Sequence, residues 1–230
     1  MPLSIIMPVL DEAAAIADAL SALSPLRQRG VEVIVVDGGS RDRTTEIAQA
    51  QADLVIAAPR GRAAQMNAGA AMAQGDILLF LHADTRLPAD ADRLVGAGLD
   101  RSGRVWGRFD AVIAGENPLL RVVAFMMNLR SRASGIATGD QAMFVTADAF
   151  RAVGGFPDIA VMEDIGLSRA LKRQSAPLCL ADRVVTSGRR WERHGVLRTI
   201  LLMWRLRLAY ALGAAPDRLA RRYGYVPRER

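Results

Sequence analysis

Short apolar runs and helical segments alternate along the first third of the chain, and that order constrains the fold more than any other feature. Leu3–Val9 is apolar and carries β-branched residues, and in Asp11–Arg29 the residues Ile16, Leu20 and Leu23 recur at helical spacing. Val31–Val36 is a second strand, ended by Asp37-Gly38-Gly39-Ser40. Arg43–Gln51 follows as helix, Leu54–Ala57 as strand, and Arg62–Gln74 as an alanine-rich helix stopped by Gly75. Ile77–Leu81 has no polar residue, so both of its faces are expected to be buried. Such alternation predicts an α/β fold with a mainly parallel sheet covered by helices.

The second half is less regular. Val105–Ile113 alternates loosely, Pro118–Arg132 has helical spacing, and Gln141–Thr146 has strand character. Gly154-Gly155-Phe156-Pro157 is a turn, a helix is expected over Glu163–Lys172, and Leu178–Val185 returns as strand. Val196–Leu212 is a strongly apolar helix interrupted by Arg198, Arg205 and Arg207. Central arginines are costly in a bilayer, and the stretch falls short of the roughly 20 residues a span requires. A helix docked on the protein or lying on a membrane surface is expected instead.

With 51% apolar residues, the chain can bury a sizeable core. The single cysteine, Cys179, excludes an internal disulfide and a thiolate zinc cluster, which favours a reducing compartment. The opening MPLSIIMPVL has no basic leader and runs directly into Asp11 and Glu12, so it does not read as a signal peptide; a cytoplasmic protein is expected. The net charge of +6 does not argue for nucleic acid, because Lys172 is the only lysine and the arginines up to Arg183 are scattered. They are dense only in the tail, at Arg189, Arg190, Arg193, Arg198, Arg205, Arg207, Arg218, Arg221, Arg222, Arg228 and Arg230. That tail is either a solvated helical face or a contact with an anionic membrane surface, peripheral and on its inner face.

Ligands of open α/β sheets sit beyond the carboxyl ends of the strands. The polar residues collect there: Pro8 and Glu12 after the first strand, Asp37, Ser40 and Asp42 after the second, His82 and Asp84 after the fourth. Each has a structural reading of its own: an Asx-turn at Asp37, a helix cap at Asp42, a loop position at Asp84. Acids at three neighbouring strand ends nevertheless suit a ribose, a base N–H or a divalent ion. The first strand-to-helix turn has no glycine, which excludes the dinucleotide fingerprint, and no P-loop occurs.

These segments resemble family 2 glycosyltransferases, which have the GT-A fold. Ser4–Glu12 is similar to that family's opening strand, and Val33–Thr44 to its second strand and nucleotide loop. Arg60-Gly61-Arg62 with Asn67 and Gly69, then Gly75-Asp76, match a third segment; His82-Ala83-Asp84 takes the Asp-x-Asp position, and Gly154-Gly155-Phe156 with Glu163-Asp164 the acceptor-side motif. The resemblance implies one glycosyltransferase domain over 1–230, with a nucleotide-binding half (1–88), an acceptor half (89–194) and a C-terminal helical tail (195–230). It implies an inverting transfer from a nucleotide-sugar donor to an unidentified hydroxyl acceptor, which a lipid can carry. Pro8, Glu12, Asp37, Ser40, Asp42, Arg62, Asn67 and His82 would line the nucleotide, and Asp84 would ligate Mg²⁺ or Mn²⁺. Asp164 would be the general base, supported by Glu163; Asp140, Gln141, Arg190 and Trp191 would serve the acceptor and diphosphate.

Two positions depart from the family pattern. His82 stands where an aspartate is usual and brings no negative charge when neutral. Ser187-Gly188-Arg189-Arg190-Trp191 resembles the Gln-x-x-Arg-Trp motif of processive members, but serine replaces the glutamine, which argues against polymer synthesis. Together with Gly139-Asp140-Gln141 and Met162-Glu163-Asp164, this segment resembles a small bacterial subgroup described beside radical-enzyme and selenium-related genes. The alternatives are a nucleotidyltransferase on a related sheet, whose glycine-rich basic turn is missing, and a non-catalytic sugar-nucleotide or membrane-binding protein.

Overall fold

In the computed structural model, which describes residues 1–225, one eight-stranded sheet carries both halves of the chain. Arg228 and Arg230 of the basic tail lie outside the described residues. Strands β1 (Leu3–Val9), β2 (Glu32–Asp37), β3 (Leu54–Ala57) and β4 (Ile77–Phe80) are mutually parallel, with β1 between β2 and β4. The period of two sends alternate side chains into two cores. Ile5, Met7, Val33, Val35 and Leu79 pack with α1 (Ile16–Arg27) and α4 (Ala91–Ser102), while Ile6, Ile34, Val36, Leu78 and Phe80 pack under α3 (Arg62–Met72). α3 lies unusually close to the sheet. A Cβ on Gly69 would come within 2.5 Å of Ile6 Cγ2 and 2.8 Å of Val36 Cγ2, so only glycine fits there.

Helix α1 begins at Ile16, five residues later than its apolar spacing suggests. Asp11 has φ +53°, and the N–H groups of Asp11, Glu12 and Ala13 donate to Ser40 Oγ (2.9 Å), Thr44 Oγ1 (2.8 Å) and Asp42 (3.0 Å). Those donors serve the neighbouring loop instead of a helical turn. Helix α3 stops at Met72, because the N–H groups of Gln74 and Gly75 donate to Glu32 and Ser4 Oγ at 3.0 and 2.9 Å.

Beyond β4 antiparallel pairs enter, and the sheet as a whole is mixed. The strand order is β3-β2-β1-β4-β7-β6-β8-β5. Strand β7 (Phe144–Thr146) runs antiparallel to β4 and to β6 (Trp106–Ala114); β8 (Leu178–Ser187) is parallel to β6, and the short β5 (Thr85–Arg86) antiparallel to β8. Gln141 ends a 3₁₀ turn, Gly139–Gln141, rather than starting β7. Helix α4, the short α2 (Thr44–Gln49), α6 (Ala147–Ala152), α7 (Glu163–Leu171) and α8 (Arg189–His194) complete the helical layers.

Helices α5 (Leu119–Ser134) and α9 (Val196–Ala211) share a third, small core, in which Leu120, Val123 and Ala124 meet Val196 and Ile200. α10 (Pro216–Tyr223) follows. Among the described residues no helix is long and apolar enough to cross a membrane. Yet among the described residues ten of the thirteen exposed large apolar side chains lie on α5, on α9 or at Leu212, which ends α9. That concentration sets this face apart from an ordinary surface.

Candidate active site

The carboxyl ends of β1, β2 and β4 open onto one edge, and a single buried amide ties two of them. Gln65 of α3 donates through Nε2 to Val9 O and to Val36 O, both at 2.8 Å, and its Oε1 accepts from Gly61 N–H at 3.3 Å. Spacing alone does not single this residue out. On the same edge the Asp37 carboxylate accepts from Gly39 N–H at 2.9 Å and Ser40 N–H at 3.0 Å, and from Ser40 Oγ. Asp42 accepts from Ala13 N–H and, at the start of α2, from Thr44 N–H, both at 3.0 Å. Asp37, Ser40 and Asp42 therefore build the loop before they can serve a ligand. Thr44 first, then the Ala13 and Thr44 amides, hold Asp42 below its ordinary range.

Glu12 and Asp84 are the acids at this edge least engaged by the backbone. Glu12 is half-buried and its pKa is raised, first by desolvation and then by the charge of Asp84, while Arg189 and Arg62 oppose the rise. Asp84 follows β4 and takes Thr85 Oγ1 at 3.4 Å; its carbonyl accepts Ser187 N–H at 3.2 Å, which brings the Gly188–Trp191 segment to the site. Arg62 opens α3 directly after Gly61 (φ +139°). Burial works against its charge, but Glu163, Tyr223, Asp140 and Asp164 outweigh it and raise its pKa.

The acceptor-side motif closes over this edge. Gly139 donates its N–H to Asp164 Oδ2 at 3.1 Å, and Asp164 Oδ1 accepts Ile165 N–H at 2.7 Å in the first turn of α7. His82 lies across Gly139: a Cβ there would meet His82 Cε1 at 2.5 Å and Nε2 at 2.6 Å. The imidazole Nδ1 is 3.7 Å from Asp140. Burial opposes the charge of Asp140, yet His82, Arg62 and Arg207 keep its pKa low. His82 thus faces the acceptor-side turn instead of pairing with Asp84. Beside it a small cavity is lined by Met66, Phe80, Met143 and Phe156 and, on its polar side, by His82, Gly139, Glu163 and Asp164. Glu163 is buried against that apolar wall, and desolvation, then the charge of Asp164, pushes its pKa up to about 7.

The non-glycine residues with positive φ among the described residues, Asp11, Ala142 and Met162, all border this region. Strained backbone collects where the surrounding structure must hold particular side chains. Three of the expected ligand contacts are engaged by the protein itself. Gln141 is fully buried, accepts Thr138 N–H and donates to Asn128 Oδ1 at 3.2 Å, so it does not face an acceptor. Trp191 packs with the Ile113–Leu120–Val196 core. Asn67 pairs with the backbone of Phe156, donating to its carbonyl at 2.8 Å and accepting its N–H at 2.9 Å. Arg190 stacks 3.6 Å over the Tyr223 ring and donates to the Tyr223 carbonyl at 2.6 Å. Pro8 sits in β1 opposite Val36. Arg189, Arg207 and Tyr223 join the site without having stood out as ligands in the sequence.

A parallel four-strand half with acids at its carboxyl edge, joined to a mixed half that supplies a second acidic motif, defines a GT-A-like α/β domain. The chain belongs to glycosyl transferase family 2, whose family model matches residues 4–153. It is similar to the undecaprenyl-phosphate 4-deoxy-4-formamido-L-arabinose transferase of Pseudomonas paraeruginosa, 31% identical over 98 residues, covering 38% of this chain and 29% of that relative. Residues 1–349 of TarS from S. aureus, solved in complex with UDP-GlcNAc, superpose with a TM-score of 0.66 at 18% identity, over 81% of this chain and 58% of that one. Glucosyl-3-phosphoglycerate synthase from Mycobacterium tuberculosis, in complex with Mn²⁺, UDP and glucosyl-3-phosphoglycerate, gives a TM-score of 0.60 at 21% identity over 80% of this chain and 70% of that chain. The chain thus spans less than a third of the curated relative and under two thirds of the TarS chain.

Proposed function

We propose that this protein transfers one sugar, with inversion, from a nucleoside-diphosphate donor to a hydroxyl of an acceptor. The observation that carries the reading is the meeting of two acidic groups at one sheet edge: Glu12 with Asp84 on one side, Asp164 held by Gly139 on the other. UDP-GlcNAc, and UDP with Mn²⁺, bound in structures that share this fold support a nucleotide-sugar donor and a divalent ion.

Donor binding falls to Glu12 and the Asp37–Asp42 loop for the nucleoside, and to Arg62 and Arg189 for the diphosphate. No group of three or more His, Cys, Asp or Glu side chains among the described residues can enclose a metal. One carboxylate, Asp84, fits an ion that completes its sphere with diphosphate oxygens and water, the ordinary habit of Mg²⁺ and Mn²⁺. Such an ion would stabilise the charge that grows on the leaving diphosphate.

Asp164 then removes the acceptor hydroxyl's proton as the oxygen attacks the anomeric carbon from the face opposite the diphosphate. The Gly139 and Ile165 N–H groups fix the position of its carboxylate. Glu163, largely protonated below about pH 7, adds no second charge beside it. Lipid linkage of the acceptor and work at the inner membrane face are parts of this proposal, supported by the likeness to an undecaprenyl-phosphate transferase. Calorimetry of UDP with and without Mn²⁺ tests the donor side: binding is expected to strengthen with the ion, and equal affinity in excess chelator removes Asp84 from its metal role.

A further inference from the structure

Two arginines stand beside Asp164 with no anion to hold. Arg130 of α5 has its Nε and Nη2 shielded from water and without a hydrogen-bond partner. Arg108 on β6, buried as a whole residue where Arg130 is only partly so, makes the contrast plain: Asp110, Ser131 Oγ (3.1 Å) and the Asn128 carbonyl (3.2 Å) satisfy it. Burial of an unpartnered guanidinium costs several kcal/mol unless something pairs with it. Arg207 of α9 lies within electrostatic reach of Arg130, Asp164, Asp140 and Tyr223. Desolvation, followed by the charge of Arg207, lowers Arg130 to about 10, and desolvation likewise lowers Arg207. Two like charges drawn together, in ion-pair contact with no carboxylate among the described residues although Asp164 and Asp140 lie within electrostatic reach, mark a place made for an anion.

The same two helices turn an apolar face outward. Val122, Phe125 and Leu129 of α5 and Leu201, Trp204 and Leu208 of α9 are all exposed, at spacings of three, four and seven residues that align them along each helix. Arg121, Arg198 and Arg205 are exposed on the same helices. An apolar stripe flanked by arginines fits the boundary of an anionic bilayer. Arg130 follows Leu129 and Arg207 precedes Leu208, so the unpaired cations lie between this face and Asp164.

We propose that Arg130 and Arg207 seat the phosphodiester of a membrane lipid whose headgroup carries the accepting hydroxyl, with α5 and α9 lying in the bilayer surface. This rests on the transferase reading for the hydroxyl alone. The order apolar face, arginine pair, Asp164 matches the order acyl chains, phosphate, hydroxyl in a phospholipid such as phosphatidylglycerol.

Trp204 supplies the readout, because it is the exposed tryptophan, Trp106 being fully buried and Trp191 partly buried against the small core. Full-length protein is mixed with phosphatidylcholine vesicles with or without phosphatidylglycerol, and the emission shift of Trp204 is followed. A blue shift at lower lipid concentration with phosphatidylglycerol is expected, and Arg130→Gln/Arg207→Gln should raise the lipid needed roughly tenfold or more. The surface variant Leu201→Ser/Trp204→Phe, followed by flotation, should lose retention on both vesicle types with an unchanged circular-dichroism spectrum. Equal binding to both vesicle types, or an undiminished phosphatidylglycerol preference in the double arginine variant, overturns the proposal. So does protection by glycerol 3-phosphate without any vesicle binding, which would assign the pair to a soluble phosphate. Asp164→Asn, which removes a charge opposing that of the arginine pair, should keep the phosphatidylglycerol preference, so loss of transfer in that variant tests the transferase reading separately.

Discussion

Gly139 donates its backbone N–H to Asp164 Oδ2 at 3.1 Å across twenty-five residues of sequence. The bond locks the proposed base to the turn on which His82 rests, so the acceptor side is held as one piece. Removing the charge while keeping the shape isolates its chemistry. Asp164→Asn should lower turnover on the order of a hundredfold to ten-thousandfold with little change in donor affinity. Asp84→Asn should weaken Mn²⁺-dependent UDP binding as well. Calorimetry beside a donor-hydrolysis assay distinguishes the two, and near-normal turnover in Asp164→Asn would leave that acid a helix-start residue.

Glu163 predicts a dependence of stability on pH. Its folded pKa of about 7 lies above the ordinary 4.5, so the folded state binds a proton that the unfolded chain has released between those values. The stabilisation is complete below about pH 4.5 and is lost as pH rises through 7. Glu163→Gln should remove this loss, gaining on wild type by no more than about 3 kcal/mol at pH 8 and converging with it near pH 4.5. Thermal melts of both proteins across pH check it; parallel curves would refute it.

Gln65 ties the ends of β1 and β2 to the loop at Gly61. Gln65→Ala leaves the Val9 and Val36 carbonyls without these donors in a buried site, a loss of about 1–3 kcal/mol. Urea unfolding should show that loss, and UDP affinity should fall with it as the strand ends loosen. Unchanged affinity in a destabilised variant would confine Gln65 to the fold.

Gly139→Ala would drive a methyl group into the His82 ring. The variant should melt earlier and turn over slowly. Adding His82→Ala removes the clash, so the double variant should be more stable than Gly139→Ala alone. Simple additivity of the two losses would show that the contact is not what excludes a side chain there.

The parallel half was legible because β1, β2 and β4 bury both faces, and because β1, β2 and β3 are each followed by a helix. Order in the second half was not. Nothing local in Phe144–Thr146 says that it runs antiparallel to β4, since three residues carry no face pattern of use. Helix α4 buries Ala91, Val95 and Leu99 four residues apart, a pattern easily passed over where no strong strand precedes it. In the site, residue types at strand ends pointed to Glu12, His82 and Asp84, and the family resemblance pointed to Asp164. Their company did not follow from spacing: Arg130 and Arg207 lie within apolar helices, where only packing decides which cation turns inward. Asp37 and Asp42 show the reverse, acids suited to a ligand whose oxygens the loop itself already engages.

Asn67 and Phe156 are joined by two hydrogen bonds, and Asn67 lies five residues after Arg62 on α3. Those residues are about 7.5 Å apart along a rigid helical rod. Under the proposed donor role of Arg62, a pull from an arriving diphosphate would be delivered to Phe156, in the wall of the cavity that Glu163 and Asp164 border. The helix would then work as a lever between the proposed donor and acceptor sides, with its fulcrum at Gly69, where it touches the sheet most closely.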